Sequence, residues 1–221
     1  MNLTITIATE EVVLLPDRAL FWPRMATLFV ADLHFGKAAT LRAAAIAMPG
    51  GTTSDDLLRL ERALLATAAR RLVLLGDLIH AKAGRAERTL AAVTAWRERW
   101  PNLELLLVRG NHDARAGDPP AEWGITVADA PLAEPPFVLR HFPDESPDGY
   151  TLAGHLHPGL RLQGAGRQQL TLPCFCFGPR VGILPAFGSF TGTAQVQPTS
   201  QDRIFVIAEE QIIAVAHDHS P

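Results

Sequence analysis

The strongest constraint on the fold is an alternation between Thr27 and Val108. Three short, nearly uninterrupted apolar runs, 27–31, 71–75 and 103–108, are separated by two stretches of helical period. Runs of this kind read as strands buried on both faces of a sheet. The first helical stretch is opened by Thr52-Thr53-Ser54-Asp55, which can cap it, and carries Leu57, Leu58, Leu60, Leu64 and Leu65. The second runs from about Ala86 to Trp100, with Leu90, Val93, Trp96 and Trp100 on one face, and stops at Pro101. Strand–helix–strand–helix–strand is the pattern of a layered α/β sheet.

The flanks read differently. Leu3–Ile7 alternates, Val12–Leu15 ends at Pro16-Asp17, and Ala19–Trp22 ends at Pro23, so three short strands precede the alternation. Residues 118–148 hold seven of the seventeen prolines and predict loops and short strands. Beyond His157 come apolar runs at 170–172, 174–177, 181–184, 204–208 and 212–216. An antiparallel-rich second sheet packed on the first is the simplest reading. No internal repeat or linker is evident, so a single domain over residues 1–221 is expected, with 216–221 as a flexible tail.

Several functional classes are excluded by what is missing. No apolar run reaches the ~18–20 residues of a membrane helix, and no Lys or Arg precedes Arg18 to form a secretory leader. Cys174 and Cys176 sit on one strand face amid Phe175 and Phe177. They read as reduced thiols, and the expected location is the cytoplasm. The net charge of −3 speaks against a nucleic-acid binder that relies on overall basic charge.

The chemistry follows the apolar runs. Asp32-Leu33-His34, Gly76-Asp77-Leu78-Ile79-His80, Gly110-Asn111-His112-Asp113 and Gly154-His155-Leu156-His157 each come directly after an expected strand, and His141 follows the run ending at Arg140. Six of the eight histidines fall in this set; His217 and His219 lie in the tail. The C-terminal edge of an α/β sheet is where side chains from successive strands converge. Glycines ahead of Asp77, Asn111 and His155 permit tight turns out of the strands. Imidazole with carboxylate suits manganese, iron or zinc better than calcium or magnesium.

In that order the motifs resemble the calcineurin-like metallophosphoesterases. The resemblance implies an α/β fold, a four-layer sandwich of two mixed β-sheets flanked by helices, around two divalent metal ions. By position, Asp32, His34 and His157 would hold one ion and Asn111, His141 and His155 the other, with Asp77 bridging and His112 as the catalytic histidine that binds no metal. Asp113 either tunes His112 or caps a helix. Where many relatives have Gly-Asp-x-x-Asp, this chain has His80, read as a hydrogen-bonding support outside the ligand set.

A narrower resemblance rests on Ala31–Lys37, Leu75–His80, Leu172–Phe175 and Leu184–Gly192, and covers residues 10–195. These stretches are similar to the bacterial DNA-ligase-associated metallophosphoesterases. That branch implies a manganese-dependent phosphodiesterase or endonuclease on single-stranded DNA in DNA repair, associated with an ATP-dependent DNA ligase and a helicase. Residues 59–115 carry 11 Lys and Arg against 6 acids, so a local positive face is compatible with the global charge. Lys37, Arg42, Arg85 and Arg88 are its candidate substrate contacts, each alternatively a solvated or salt-bridged side chain. A cyclic-nucleotide phosphodiesterase, a phosphomonoesterase and a non-catalytic scaffold are the competing readings of the same motifs.

Overall fold

A computed structural model describes residues 1–48, 51–163 and 168–215, so the expected tail and its two histidines lie outside the described residues. Strands β1 (Leu3–Ile7), β2 (Glu10–Leu15), β3 (Ala19–Trp22) and β4 (Thr27–Val30) form an antiparallel meander. From β4 the sheet turns parallel through β5 (Arg71–Leu74), β6 (Glu104–Val108) and β7 (Ile125–Ala128), giving the order β1 to β7. Parallel neighbours need crossovers. These run through α1 (Lys37–Ala43) and α2 (Thr52–Thr67), then α3 (Glu87–Arg99), then α4 (Asn111–Ala116).

After their first residues, Thr27, Arg71 and Glu104, the strands β4, β5 and β6 are apolar throughout because both faces are covered. Leu28, Val30, Leu72, Leu74, Leu105 and Leu107 point into a core shared with Leu57, Leu60 and Leu64 of α2 and Val93 and Trp96 of α3. The alternate residues Phe29, Val73, Leu106 and Val108 point into a second core. Of the leucines carried by α2, Leu58 and Leu65 are exposed, since they lie round the helix from the buried Leu57, Leu60 and Leu64. The helix begins at Thr52 with Gly51 as its cap, so Ser54 and Asp55 sit inside the first turn and do not precede it. Trp100 caps the end of α3 and is only half-buried.

The second core is closed by another mixed sheet. Its strands are β8 (Leu132–Glu134), β9 (Phe137–Leu139), β10 (Tyr150–Ala153), β11 (Pro158–Gln163), β12 (Gln169–Phe177), β13 (Val181–Ile183), β14 (Ala194–Gln195), β15 (Arg203–Ala208) and β16 (Gln211–Val215). The order is β14-β11-β12-β13-β10-β9-β8, with β15 paired to β12 and β16 to β15. Antiparallel pairs dominate, but β9, β10 and β13 are parallel. The runs at 170–172 and 174–177 are one strand, which pairs with β11 up to Pro173 and with β13 and β15 beyond it. Phe137, Phe175, Phe177 and Phe205 face the first sheet, and Trp22 meets Phe137 edge-on at 4.9 Å.

The two mixed sheets and flanking helices agree with the sequence expectation. The helices α2 and α3 cover the first sheet. Among the described residues the outer face of the second carries a small cluster of Cys174, Ile204 and Val206. Both thiols are free, and burial pushes them up to about 12 and about 11. The fourth parallel strand, β7, lies within the Pro-rich stretch 118–148, where its short run Ile-Thr-Val-Ala does not stand out, and none of its residues is fully buried.

Phe175, fully buried between the sheets, tests this packing. Phe175→Ala is expected to cost about 3–5 kcal/mol of unfolding free energy. Leu65→Ala on the exposed face should cost within about 0.5 kcal/mol of nothing. Urea titrations of both variants provide the check.

Candidate metal centre

Strand pairing continues past the strand ends and sets the first two motifs side by side. Asp32 N donates to Gly76 O at 3.2 Å, His34 N to Asp77 O at 2.8 Å, and Phe35 N to Leu78 O at 2.8 Å. Beyond β6, Gly110 and the start of α4 join them. Beyond β9 and β10, His141 and the 154–157 turn approach from the other sheet. There, His155 N donates to Asp32 Oδ2 at 2.8 Å.

Five of the proposed ligand residues have left-handed backbones: Asp32 (φ 54), His34 (48), Asp77 (54), His155 (69) and His157 (49). Such conformations cost of order 1 kcal/mol or more each and persist only where surroundings over-determine them. Of the three glycines expected to permit tight turns, only Gly76 is left-handed, at φ 82. At the other two the need is space. A Cβ on Gly110 would lie 2.3 Å from Asp77 Oδ1, and one on Gly154 2.5 Å from Asp32 Oδ2.

Asp113 organises the β5 and β6 ends. Its Oδ2 accepts from Asp77 N at 2.8 Å and Gly110 N at 2.9 Å, and its Oδ1 from Leu78 N at 2.9 Å and Ile79 N at 3.4 Å. This buried carboxylate is therefore a brace for the Asp77 loop and the first turn of α4. It makes no hydrogen bond to the His112 ring, so its expected tuning of that ring is replaced by the capping alternative. Burial raises the Asp113 pKa, opposed by the hydrogen bond from Gly110.

The proposed ligand atoms form two groups, and a third cluster of close donors, His34, His80 and His112, lies beside them. Asp32, His34 and His157 bring one ligand atom each within 4.8 Å of one another, and so do Asp77, His141 and His155. His34 Nε2 and His157 Nε2 are 3.3 Å apart. His141 Nε2 lies 2.9 Å from Asn111 Oδ1 and 3.1 Å from His155 Nδ1. Leu75 O can only accept, so His141 Nδ1, 3.1 Å away, carries the proton and leaves a lone pair on Nε2. Asp77 Oδ2 sits between the groups, 3.7 Å from His34 Nε2 and 3.5 Å from His141 Nε2.

These positions fit two cations. Acceptor atoms converge where they would otherwise repel, and Asp32 Oδ1 is fully buried without any hydrogen-bond partner. A buried carboxylate oxygen in that state requires a nearby positive charge. The seven residues assigned to the ligand set, Asp32, His34, Asp77, Asn111, His141, His155 and His157, are thus brought together in one place.

His80 and His112 sit beside this set. His80 Nδ1 is 3.2 Å from His34 Nδ1. A His34 ring that offers Nε2 to an ion donates from Nδ1, and His80 is its acceptor. The support role expected for His80 extends further: its backbone oxygen accepts from His112 Nδ1 at 2.6 Å, and the two rings stack at 4.7 Å. His112 N also donates to Asp77 Oδ1 at 2.9 Å, leaving Nε2 directed at the centre, 3.9 Å from Asp77 Oδ2. No Asp is needed to orient His112 because a main-chain carbonyl does it, a contact that residue type cannot reveal.

The candidate substrate contacts separate. Lys37, half-buried at the start of α1, is close enough to lower the pKa values of His34 and His80. Arg42 and Arg88 line a small pocket with Thr52, Thr53 and Ser54 at the start of α2. Arg85 donates to Asp118 O at 2.8 Å and Gly117 O at 3.3 Å, so it pins the chain after α4. It also precedes α3 and does not share its face with Arg88.

A model of the calcineurin-like phosphoesterases matches residues 25–168, the span that includes every ligand. The chain belongs to the calcineurin-like phosphoesterase family. Among solved structures, a nuclease of Pseudomonas putida is 40% identical, with 97% of this chain and all of that one covered at a TM-score of 0.86. A phosphoesterase from E. coli is 17% identical over 86% of this chain and 98% of that one, at a TM-score of 0.42. No curated protein matches the sequence. Membership in a calcineurin-like family of phosphoesterases agrees with the two-group geometry, and the hydrolysis of phosphoesters by a metal-binding enzyme is the chemistry the fold serves.

Burial holds His34 down to about 2, with His157 and His112 adding to it, and holds His80 down to about 4, with His112 next. Both rings are neutral in the folded metal-free protein at neutral pH, while the unfolded chain takes up protons near 6.5. Between those limits the unfolded state binds more protons, so stability is full above pH 6.5 and falls as pH drops. For EDTA-treated protein, the urea midpoint is expected to drop from pH 7.5 to 5. The drop should be shallower in His80→Gln.

Proposed function

We propose that the chain is a dinuclear-metal-dependent nuclease that cleaves phosphodiester bonds of single-stranded DNA in DNA repair. Manganese is the preferred ion, and iron and zinc are the alternatives the donor set accommodates. The observation that carries the reading is the pair of donor groups with Asp77 Oδ2 between His34 of one and His141 of the other, in a chain 40% identical over nearly its whole length to a nuclease. In the same proposal the protein works in the cytoplasm alongside an ATP-dependent DNA ligase and a helicase. No described helix is long and apolar enough to cross a membrane.

Divalent ions held by the seven ligands would supply an activated water and neutralise charge on the phosphoryl oxygens. The protein's own groups do the rest. His112 keeps its Nδ1 proton on His80 O, so its second proton, on Nε2, is the one available to a leaving oxygen. Asp77 holds His112 through the backbone amide, and its second carboxylate oxygen faces the ring's Nε2. His80 fixes the His34 ring from behind.

Substrate preference is supported by the rim. Phe142 tilts over His155 with centroids 4.4 Å apart and stays 43% exposed, and Leu156, between two ligands, is equally open. Apolar surface beside a phosphate-binding centre suits unpaired bases, which stack on aromatic rings. Lys37 adds positive charge near His34 and His80.

EDTA-stripped protein should regain activity with manganese and cleave single-stranded DNA faster than duplex DNA, 2′,3′-cyclic nucleotides or monoesters. Faster turnover of a cyclic nucleotide or a monoester would replace the nuclease reading. With bis-p-nitrophenyl phosphate, Asp77→Asn and His112→Ala are each expected to lose about 100-fold or more in kcat. His112→Ala should keep its metal content, measured by elemental analysis. Near wild-type turnover by Asp77→Asn would remove the dinuclear assignment.

A further inference from the structure

The segment 184–192, Leu-Pro-Ala-Phe-Gly-Ser-Phe-Thr-Gly, supplies no ligand, yet it lies directly on the first metal-binding turn. Phe187 N donates to Ala31 O at 2.7 Å and Gly188 N to Asp32 O at 3.1 Å, extending a bridge between Ala31 and Ala186. A Cβ on Gly188 would fall 2.4 Å from Leu33 O, so only glycine permits this approach.

A buried charge network on the far side holds the segment down. Asp56, on α2 and 5% exposed, accepts from Ser189 N at 3.0 Å, Ser189 Oγ at 2.6 Å and Arg59 Nη2 at 2.5 Å. Arg59 also donates to Phe187 O, and its guanidinium lies 4.7 Å over the Phe187 ring. Arg18 donates to Ala186 O at 3.2 Å and Gly188 O at 3.3 Å. Thr191 Oγ1 closes the turn onto Gly188 O at 2.8 Å. A carboxylate buried among apolar residues of a helix is costly unless it is paired and hydrogen-bonded. Here the hydrogen-bond partners, Ser189 and Arg59, belong to this segment and to α2, and the Arg18 charge adds to them.

We propose that Asp56, Arg59 and Ser189 are positioning residues that clamp the turn carrying Asp32 and His34 into its metal-binding shape. The inference rests on reading Asp32 and His34 as metal ligands. Asp32 and His34 are both left-handed, and the backbone relaxes from such a conformation when its neighbours release it. Relaxation would rotate the Asp32 carboxylate and the His34 ring out of the shared volume. The clamp therefore acts on ion affinity through the backbone and touches neither substrate nor ion.

The test is calorimetric titration of Mn2+ into EDTA-stripped, full-length protein. Asp56→Asn and Ser189→Ala are compared with the wild type and with Leu64→Ala, a core truncation in the same helix. The clamp variants should bind Mn2+ about 10–100-fold more weakly, and the Mn2+ concentration giving half-maximal phosphodiesterase activity should rise in step. The KM for bis-p-nitrophenyl phosphate should be unchanged at saturating metal. Leu64→Ala should bind Mn2+ like the wild type. Ser189 is exposed, so its alanine variant carries the test if Asp56→Asn does not fold. Unchanged Mn2+ affinity in Ser189→Ala, or an equal shift in Leu64→Ala, overturns the clamp and leaves the metal reading intact. A wild-type protein that binds no Mn2+, Fe2+ or Zn2+ overturns the metal reading and the clamp with it.

Discussion

The Asp77 carboxylate is the hinge of the structure. One oxygen is taken by the His112 amide, and the other is left bare between an imidazole from the 32–34 turn and one that follows β9. Anchoring one oxygen to a main-chain donor fixes where the other points. Asp113 in turn holds the Asp77 loop through three amides and its own helix start through Gly110 N, so two carboxylates in series set the middle of the centre to within hydrogen-bond tolerance. Everything else about the site is arranged around a point that has already been determined.

The arrangement is strained and crowded, and the two sheets are what make it tolerable. Five residues of the proposed ligand set have backbones that L-residues rarely adopt, and two glycines leave room where a methyl group would strike a carboxylate. Holding such turns requires firm packing behind them. β4, β5 and β6 provide it, buried on both faces between the helices and the second sheet. The His34 imidazole, kept neutral by burial and pressed to 3.3 Å from the His157 ring, gives the same picture. The two rings are destabilising to one another without cations and complementary with them.

Much of this could be read from residue order. A buried strand leaves a continuous apolar run, and metal-type donors leave a short polar cluster at its end, so β4 to β6 and the candidate donors at their ends were both visible. His141 was found only by its place after a strand, and β9 does carry it to the centre. What escaped was set by contacts distant in sequence. Asp113 offered two roles from its spacing and has the bracing one. His80 supports His112 with a backbone oxygen, for which its side chain gives no signal. The glycines at 110 and 154 looked like turn formers and are instead empty space beside carboxylates. The 184–192 segment carried a family likeness but no chemistry, because its partner charges lie on α2, more than a hundred residues away.

Donor types, their order along the chain and their position at strand ends were properties of the sequence alone, since local hydrophobic period decides where strands stop. Which turns face each other was decided by the tertiary structure. Asp32, Asp77 and Asn111 follow strands of one sheet, while His141, His155 and His157 follow strands of the other. The core between the sheets, which holds Phe137, Phe175 and Phe177 with Trp22 and Phe29, brings those edges together. Burial of apolar surface between the sheets is non-directional. The hydrogen bond from His155 N to Asp32 Oδ2 and the Asp56 clamp supply the direction that turns two adjacent edges into one centre.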